Sequence, residues 1–476
     1  MNTFSQFPRT FWVANTIELF ERWAWYGFFM LFANYLTGSS DLGGLEFSQS
    51  QKGTIMGVGT GILYFLPVLT GAIADRYGYK RVLLLAFTVY VSAFIALPLF
   101  STFTGVFLTY IYLAAGAALF KPVIQATIAK TTTAETASIG FGIFYMMVNV
   151  GAFLGPVVTL LFKGSSHLIF YVSAVIVGLN LLILPFYKEP GRGEGEAPRQ
   201  SVGETFRSLF ANMASIIKDV KFILFLLIVA GFWTMYNQLF FTLPVFVAQW
   251  VDTSALYNFF HAYMPFVSEN YSPAPGVIDA EFVTNMDSFY IILCQVLVSG
   301  LVMRLKPLHA MTAGFLVCSI GMALTFVSQN VLFTMVAIFI FGLGEMAGSP
   351  KISEYIGRLA PADRKALYMG YSFIPVFIGN ILAGVVSGVV YQQTSDKVDI
   401  AFRFAAERGL QVSKDLSTSA YFEEVARQVN LAPQELTRLL WDTYNPSSIW
   451  VILIGIGLFA VVSLFIYDKI ISRKHA

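Results

Sequence analysis

The sequence predicts an all-α membrane protein whose twelve transmembrane helices form two pseudo-symmetric six-helix bundles. Hydrophobic residues make up 56% and charged residues only 12% of the 476 positions, and the mean hydropathy is +0.67. Soluble proteins are typically about 25% charged. Twelve apolar segments reach the length of about 20 residues that a bilayer-spanning helix needs. A polar stretch rich in Gly and Pro divides these segments into six and six.

The apolar segments fix the expected elements in chain order. Those of the first half lie near 11–36, 53–75, 82–101, 105–129, 138–162 and 167–187. Those of the second half lie near 221–250, 287–304, 308–328, 331–357, 366–392 and 447–467. We therefore predict an N-terminal bundle at 1–187, a linker at 188–220 and a C-terminal bundle at 221–476.

Lys and Arg residues indicate which side of the membrane each loop occupies. They concentrate in the linker and in the loop that holds Arg76, Lys80 and Arg81, whereas the stretch 252–286 has neither residue type. Cytoplasmic loops carry the excess of Lys and Arg. We therefore predict a protein of the cell (inner) membrane with a cytoplasmic linker and both termini in the cytoplasm.

Two long loops, 252–286 and 393–446, then face outward. The second contains "SAYFEEVARQVNLAPQELTRLLWDTY", in which apolar residues recur at helical spacing and a Pro marks a second helix start. We expect two short helices there, which form a structural cap.

Three charges lie inside the first apolar segment, at Glu18, Glu21 and Arg22. At a helix centre each charge costs roughly 2.5–3.5 kcal/mol on insertion scales. Their spacing of i, i+3 and i+4 puts them on one helix face, where they can pair. A self-neutralising structural patch is one interpretation, but two acids and one base leave a net charge of −1. Lys121 in the fourth segment is the candidate counter-cation, and ionisable residues inside a membrane usually serve a function.

The second half offers further buried acids, Glu345 and Asp287. Two related halves of six helices, with a binding site near mid-membrane between them, are the architecture of major facilitator transporters. The loop "GAIADRYGYKR", Gly71 to Arg81, resembles the signature of that superfamily.

Several motifs resemble one family within it, the proton-dependent oligopeptide transporters (POT/PTR), of which the chain looks like a divergent member. "ELFER" followed by "WAWYG" is similar to the ExxER motif of the family's first helix, and "FKP" to its lysine motif in helix four. "FGIFYMMVNVGAFLGP", "FWTMYNQ" and "GEMAGSP" resemble the signatures of helices five, seven and ten. The motifs occur in the family's order and span both halves.

The resemblance implies a role for individual residues. Glu18, Glu21 and Arg22 would form a proton-linked cluster that faces Lys121, and Lys121 would approach Glu345 as a cytoplasmic-side gate. A peptide's carboxylate would meet Lys121 and its amino terminus Glu345. The remaining residues of the implied peptide pocket are Trp25, Tyr26, Tyr64, Tyr145, Asn149, Trp233, Asp287, Ser349 and Tyr371.

Four positions depart from the family pattern. Phe29 and Asn237 stand where the family usually carries an Arg and an acid that pair at the outer gate, so we expect this gate to close by packing and hydrogen bonds. Asp287 replaces a pocket Asn and Tyr371 a pocket Trp. These exchanges make the pocket richer in acid and predict a preference for substrates with extra positive charge.

The resemblance thus implies a proton-coupled symporter that imports di- and tripeptides by alternating access, with Glu21 or Glu345 as the titrating group. The alternatives are a major facilitator transporter of a non-peptide solute and a sensor that binds substrate without transport. No catalytic or metal motif is present, so we expect no enzyme activity and no cofactor other than protons as the coupling ion. The expected partners are small peptides and the lipid bilayer, with no nucleic acid and no obligate protein partner.

Overall fold

The computed structural model describes residues 6–133, 136–162, 166–190, 218–360, 368–369 and 371–472. These residues are almost entirely helical, and a helix occupies each of the twelve predicted segments, which confirms the predicted fold class. Most of the predicted linker, 191–217, lies outside the described residues. Arg364 and Lys365, two further basic loop residues on the predicted cytoplasmic side, also lie outside the described residues.

The N-terminal bundle contains the first six membrane helices. They are α1 (Arg9–Thr37), α2 (Gln49–Phe65, continued by Pro67–Tyr77), α3 (Tyr79–Ala96), α4 (Phe103–Lys130), α5 (Ala137–Leu160) and α6 (Ser166–Ile183). The break in α2 falls at Leu66, directly before Pro67. Proline lacks the N–H that would continue the helical hydrogen bonds, so it is tolerated at the start of the second piece.

The C-terminal bundle contains the other six. They are α7 (Val220–Tyr236, Gln238–Phe241 and Leu243–Trp250), α8 (Met286–Val302), α9 (Pro307–Leu324), α10 (Val331–Leu359), α11 (Ile374–Val385, a π-helical turn Val386–Val390, and Tyr391–Thr394) and α12 (Ile449–Ser472). The breaks in α7 and the π turn in α11 lie toward the same end of the bundle. Irregular backbone at membrane depth is tolerated where protein covers it.

Ten helical stretches of the described chain are long and apolar enough to cross a membrane. The two segments outside that count are α1 and α2. The first carries the charges of Glu18, Glu21 and Arg22, and the second is interrupted at Leu66. Both pack within the bundles: α1 lies against α5 and α6, and α2 lies against α4 and α11.

The loops at 252–286 and 393–446 are structured. The first contains the helices Ser254–Tyr263, Pro265–Asn270 and Ala280–Thr284. The second contains Lys397–Glu407, Thr418–Gln428 and Pro433–Tyr444, which together form what we call the outer cap (residues 397–444). The two helices predicted in the second loop are confirmed. The additional helix before them begins where the Asp396 side chain accepts a hydrogen bond from the Asp399 N–H at 3.2 Å.

The outer cap belongs to the C-terminal half but is hydrogen-bonded to the loop between α1 and α2. The Glu46 carboxylate accepts from the Thr418 N–H at 2.8 Å, and the Ser419 N–H donates to Ser39 Oγ at 3.0 Å. The hydroxyls of Ser39 and Ser419 both donate to Asp41 and lower the pKa of its carboxyl. The Asp41 carboxylate, which links the loop between α1 and α2 to the outer cap, therefore keeps its negative charge in mildly acidic medium.

The two bundles meet at the end that carries these loops, which we call the outer end. At Gly53 of α2, an added Cβ would lie 2.2 Å from the carbonyl oxygen of Gly384 in α11, so only glycine permits this approach. Asn34 of α1 donates to Glu281 at 2.8 Å, and Tyr271 donates to the Val157 carbonyl of α5 at 3.0 Å. The structure therefore has its outer end closed.

Candidate functional site

The charged residues of α1 lie inside the N-terminal bundle and are paired with one another. Glu18, Glu21 and Arg22 expose 6%, 0% and 6% of their surface. Arg22 Nε lies 3.2 Å from Glu18 Oε1, and the Arg22 guanidinium also forms an ion pair with Glu21. The predicted pairing of this trio on one helix face is confirmed.

Two neighbouring helices complete this cluster. Tyr90 of α3 donates its hydroxyl to the Glu21 carboxylate. Gly151 of α5 lies directly against Arg22, because a Cβ added at Gly151 would fall 2.7 Å from Arg22 Cβ. The glycine in the fifth-helix motif thus lets α5 pack onto the charged face of α1. Each charged side chain of the cluster thus has a partner within one bundle, while the trio keeps a net charge of −1.

Lys121 of α4 lies next to the cluster but is not part of its ion pairs. Its Nζ stands 4.1 Å from the centroid of the Tyr64 ring, and it interacts electrostatically with Glu18. Among the described residues no ion pair joins Lys121 to Glu345 in this conformation, and Glu345 accepts a hydrogen bond from the Tyr236 hydroxyl. Within the described part of the chain, the Lys121 ammonium group thus lies over the Tyr64 ring and forms no ion pair.

The acids of the C-terminal bundle are less completely bonded. Glu345 of α10 accepts a hydrogen bond from the Tyr236 hydroxyl at 2.8 Å through Oε1, while its Oε2 is buried without a hydrogen-bond partner. Asp287 at the start of α8 is 4% exposed, and its Oδ1 also has no hydrogen-bond partner. The Ser349 and Tyr371 hydroxyls are in the same state. These are four of the fourteen buried side-chain atoms that lack a hydrogen-bond partner in the described part of the chain. Buried polar atoms are usually satisfied, and the two carboxylates are the acidic groups among these fourteen, which makes their surroundings the candidate ligand site.

Aromatic rings connect these groups across the two halves. Tyr26 of α1 packs against Phe240 of α7 with ring centroids 6.0 Å apart. Trp233 lies edge-on to Tyr236 at 4.9 Å, and Tyr236 in turn holds Glu345. Tyr26, Trp233 and Tyr236 are thus placed where the bundles meet.

Three other predicted pocket residues occupy different settings. Trp25 is 5% exposed, and its ring stacks on that of Phe29 with centroids 5.3 Å apart, so it packs inside the protein and not beside Tyr26. The Asn149 side chain donates to the carbonyl of Tyr145 in its own helix at 2.8 Å. Tyr145 is 42% exposed.

Phe29 and Asn237, the two positions predicted for the outer gate, lie at the closed outer end, and Phe29 packs there against aromatic rings. Phe29 contacts Phe240 and Phe241 of α7, with ring centroids 5.5 and 6.1 Å apart. Asn237 is 7% exposed, and its Nδ2 has no hydrogen-bond partner among the described residues. An aromatic contact between α1 and α7 therefore replaces the charge pair.

Sequence reasoning missed a buried lysine beside this gate. Lys52 of α2 is fully buried and donates from Nζ to the Phe241 carbonyl at 2.8 Å. Nearby, Gln49 and Gln249 both donate to Asp396 Oδ1 at 2.8 Å. Lys52 stands one residue before the predicted second segment, 53–75, and was given no role. The helix begins earlier, at Gln49, which brings Lys52 into the interface between the halves.

Comparisons with known proteins agree with this architecture. The family model described as Major Facilitator Superfamily matches residues 16–268 and 248–406. An uncharacterized MFS-type transporter of Bacillus subtilis (strain 168), YqjV, is 25% identical over 351 residues, which cover 72% of this chain and 78% of the relative.

Solved structures share the fold at low sequence identity. A POT family transporter in complex with a thioalcohol-conjugated peptide superposes with a TM-score of 0.69 at 16% identity and covers 99% of both chains. A mutant of the nucleoside transporter NupG superposes with a TM-score of 0.67 at 12% identity, over 96% of this chain and 99% of the other. The predicted resemblance to the peptide transporters is confirmed at the level of the fold. Because the family model covers well over half of the sequence, the chain belongs to the major facilitator superfamily.

Proposed function

We propose that this membrane protein is a divergent proton-coupled peptide symporter of the POT/PTR type, which imports di- and tripeptides by alternating access and favours cationic ones. The observation that carries this proposal is the separation of charge between the two halves. In the N-terminal half, Lys121 forms no ion pair among the described residues and lies over the Tyr64 ring. In the C-terminal half, Glu345 and Asp287 each have a carboxylate oxygen without a hydrogen-bond partner.

A short peptide at neutral pH carries an ammonium group at one end and a carboxylate at the other. A site with a cation on one wall and acids on the other matches both ends of such a molecule. Tyr26, Trp233 and Tyr236 supply aromatic surface between the two walls. The presence of two acids for one lysine favours substrates with additional positive charge.

Alternating access requires that one end closes while the other opens. Here the outer end is closed by the Gly53–Gly384 approach, by the Phe29 contacts and by the Lys52 hydrogen bond. Lys121 and Glu345 are not in contact, which is the expected state of an open cytoplasmic gate. In the opposite state, their pairing would close the inner end and keep Glu345 ionised. Gate state and proton binding would thus be linked through Lys121.

Proton entry into liposomes that contain a pH-sensitive dye tests the proposal. Purified protein is reconstituted, a negative-inside potential is imposed, and neutral, cationic and anionic dipeptides are added in turn. We expect acidification that depends on peptide and is fastest with Lys-containing dipeptides. Glu345→Gln should abolish it, while Glu423→Gln, an exposed residue of the outer cap, serves as the matched control.

Each negative result has a defined meaning. If no peptide causes acidification in the unmutated protein, the substrate is not a peptide and a non-peptide carrier is the remaining interpretation. Peptide binding without flux would identify a sensor. Equal rates for anionic and cationic dipeptides would contradict the charge preference alone.

A further inference from the structure

Asp287 and Glu345 approach each other on neighbouring helices of the C-terminal bundle. Asp287 lies at the start of α8, and its Oδ1 rests on α10, because a Cβ added at Gly342 would stand only 2.9 Å from it. Gly342 precedes Glu345 by three residues, which is about one turn on the same side of α10. The absence of a side chain at Gly342 therefore admits the Asp287 carboxyl to the region of Glu345.

No cationic side chain compensates these two acids in the described part of the chain. The groups that face them are the phenols of Tyr26, Tyr145, Tyr236 and Tyr290 and the thiol of Cys318. Of these, only Tyr236 donates a hydrogen bond, and it donates to Glu345. The Arg22 charge is already shared by Glu18 and Glu21, and Lys121 lies over Tyr64. The pair thus faces neutral groups among the described residues, with Asp287 buried and Glu345 half-buried.

Two carboxylates in such a setting do not both stay ionised. Burial disfavours the charged form of each, and a like charge nearby disfavours it further. Close carboxyl pairs in proteins therefore retain one proton between them and titrate as a unit. The unpartnered oxygens Asp287 Oδ1 and Glu345 Oε2 are the atoms available to such a proton or to a ligand.

We propose that Asp287 and Glu345 form a carboxyl pair that holds one proton and presents one negative charge to one ammonium group of the substrate. The inference rests on the proposed function and adds Asp287 as a proton-carrying residue. With both groups ionised the pair would have charge −2; one proton brings it to −1, and one ammonium group neutralises the remainder. In each cycle the pair takes up this proton together with the substrate while the outer end is open. It releases the proton to the cytoplasm when Lys121 pairs with Glu345 as the inner end closes, so one proton is carried at this pair in addition to any proton bound elsewhere. Asp287→Asn leaves Glu345 as a single carboxylate that pairs with the ammonium directly.

Infrared spectroscopy of the purified full-length protein at neutral pH tests the pair without any substrate. A protonated carboxylic acid absorbs at a carbonyl frequency that is separate from those of carboxylates. We expect the unmutated protein to show such a band. In Asp287→Asn and in Glu345→Gln, the band intensity should decrease by the amount that corresponds to one carboxylic acid. Glu423→Gln should lose none. A band unchanged in both variants, or lost in only one of them, overturns the shared proton.

Transport stoichiometry supplies the second readout. The membrane potential at which net substrate flux reverses in proteoliposomes gives the number of charges moved per substrate. We expect Asp287→Asn to move one charge fewer than the unmutated protein at the same substrate gradient, and an unchanged ratio contradicts the proposal. If the unmutated protein moves no peptide, the proposed function fails while the infrared result still decides the carboxyl pair. If Asp287→Asn does not fold, Asp287→Ser takes its place, because a band that persists without the Asp287 carboxyl shows that the proton is not shared.

Discussion

The two halves of the molecule treat buried charge in opposite ways. In the N-terminal bundle, Arg22 pairs with Glu18 and Glu21, and Tyr90 supplies a further donor. In the C-terminal bundle, Glu345 has a single donor, and Asp287 Oδ1 has no hydrogen-bond partner. A satisfied network of this kind fixes one arrangement of helices, whereas unsatisfied acids are available to a proton or a ligand. We therefore propose a structural role in this conformation for the first cluster and a binding role for the second.

This difference separates the two candidates for the titrating group. Protonation of Glu21 would weaken its ion pair with Arg22 and leave part of a buried guanidinium charge uncompensated. Protonation of Glu345 breaks no ion pair in this conformation. We therefore expect Glu345, together with Asp287, to carry the coupling proton in the state with the closed outer end.

The largest expected effect follows from removal of the arginine. Arg22→Met strands two buried carboxylates, and the loss of one partner of a buried pair destabilises by about 3–5 kcal/mol. Thermal unfolding in detergent should show a pronounced decrease in midpoint, whereas Glu345→Gln should unfold close to the unmutated protein. Equal midpoints for Arg22→Met and Glu345→Gln would remove the distinction between the two clusters.

A smaller effect is expected when both partners are removed. Adding Glu21→Gln to Arg22→Met takes away one of the stranded carboxylates, so the double variant should recover about 0.5–3 kcal/mol relative to Arg22→Met alone. Denaturation of the single and double variants measures this coupling. If the two substitutions lower the free energy of unfolding by independent amounts that simply add, Arg22 stabilises the protein by packing on Gly151 and not by its charge.

The smallest expected effects distinguish two tyrosines that each donate to a carboxylate. Tyr236→Phe removes the donor to Glu345, and the net contribution of a hydrogen bond to stability is about 0.5–1.5 kcal/mol. Because a donor favours the ionised form, the pH of half-maximal transport should rise by about 1 unit. Tyr90→Phe should lower stability instead and leave the pH profile in place. If Tyr90→Phe shifts the pH of half-maximal transport and Tyr236→Phe does not, the coupling proton lies in the N-terminal bundle.

Much of the fold could be predicted because hydrophobicity dominates this sequence. Apolar segments of membrane length located all twelve helices, and the helical spacing of apolar residues located two helices of the outer cap. The breaks in α7 and the π turn in α11 could not be predicted, because packing against other helices decides them. The additional cap helix, Lys397–Glu407, was missed since it follows α11 almost without interruption.

The candidate site was predictable to a smaller extent. Spacing alone placed Glu18, Glu21 and Arg22 on one face, but it could not reveal Tyr90, which reaches them from another helix. The packing of Phe29 could be predicted because both charged residues that usually pair at this place in the resembling family are absent. Lys52 was overlooked because a lysine at the edge of an apolar segment normally extends toward the membrane surface. Its burial depends on the close approach of α2 and α11, which is a property of the assembled halves.

The most direct test of the account compares Glu345→Gln with Glu21→Gln in proteoliposomes. For each variant, peptide accumulation driven by a proton gradient is measured beside counterflow, which exchanges peptide without net proton movement. The account predicts that Glu345→Gln loses accumulation at least about tenfold, equivalent to about 1.4 kcal/mol, and retains counterflow, while any loss in Glu21→Gln affects both activities together. The opposite result would contradict the account: Glu345→Gln accumulates peptide fully, whereas Glu21→Gln loses accumulation and keeps counterflow. That result would assign the coupling proton to the N-terminal cluster.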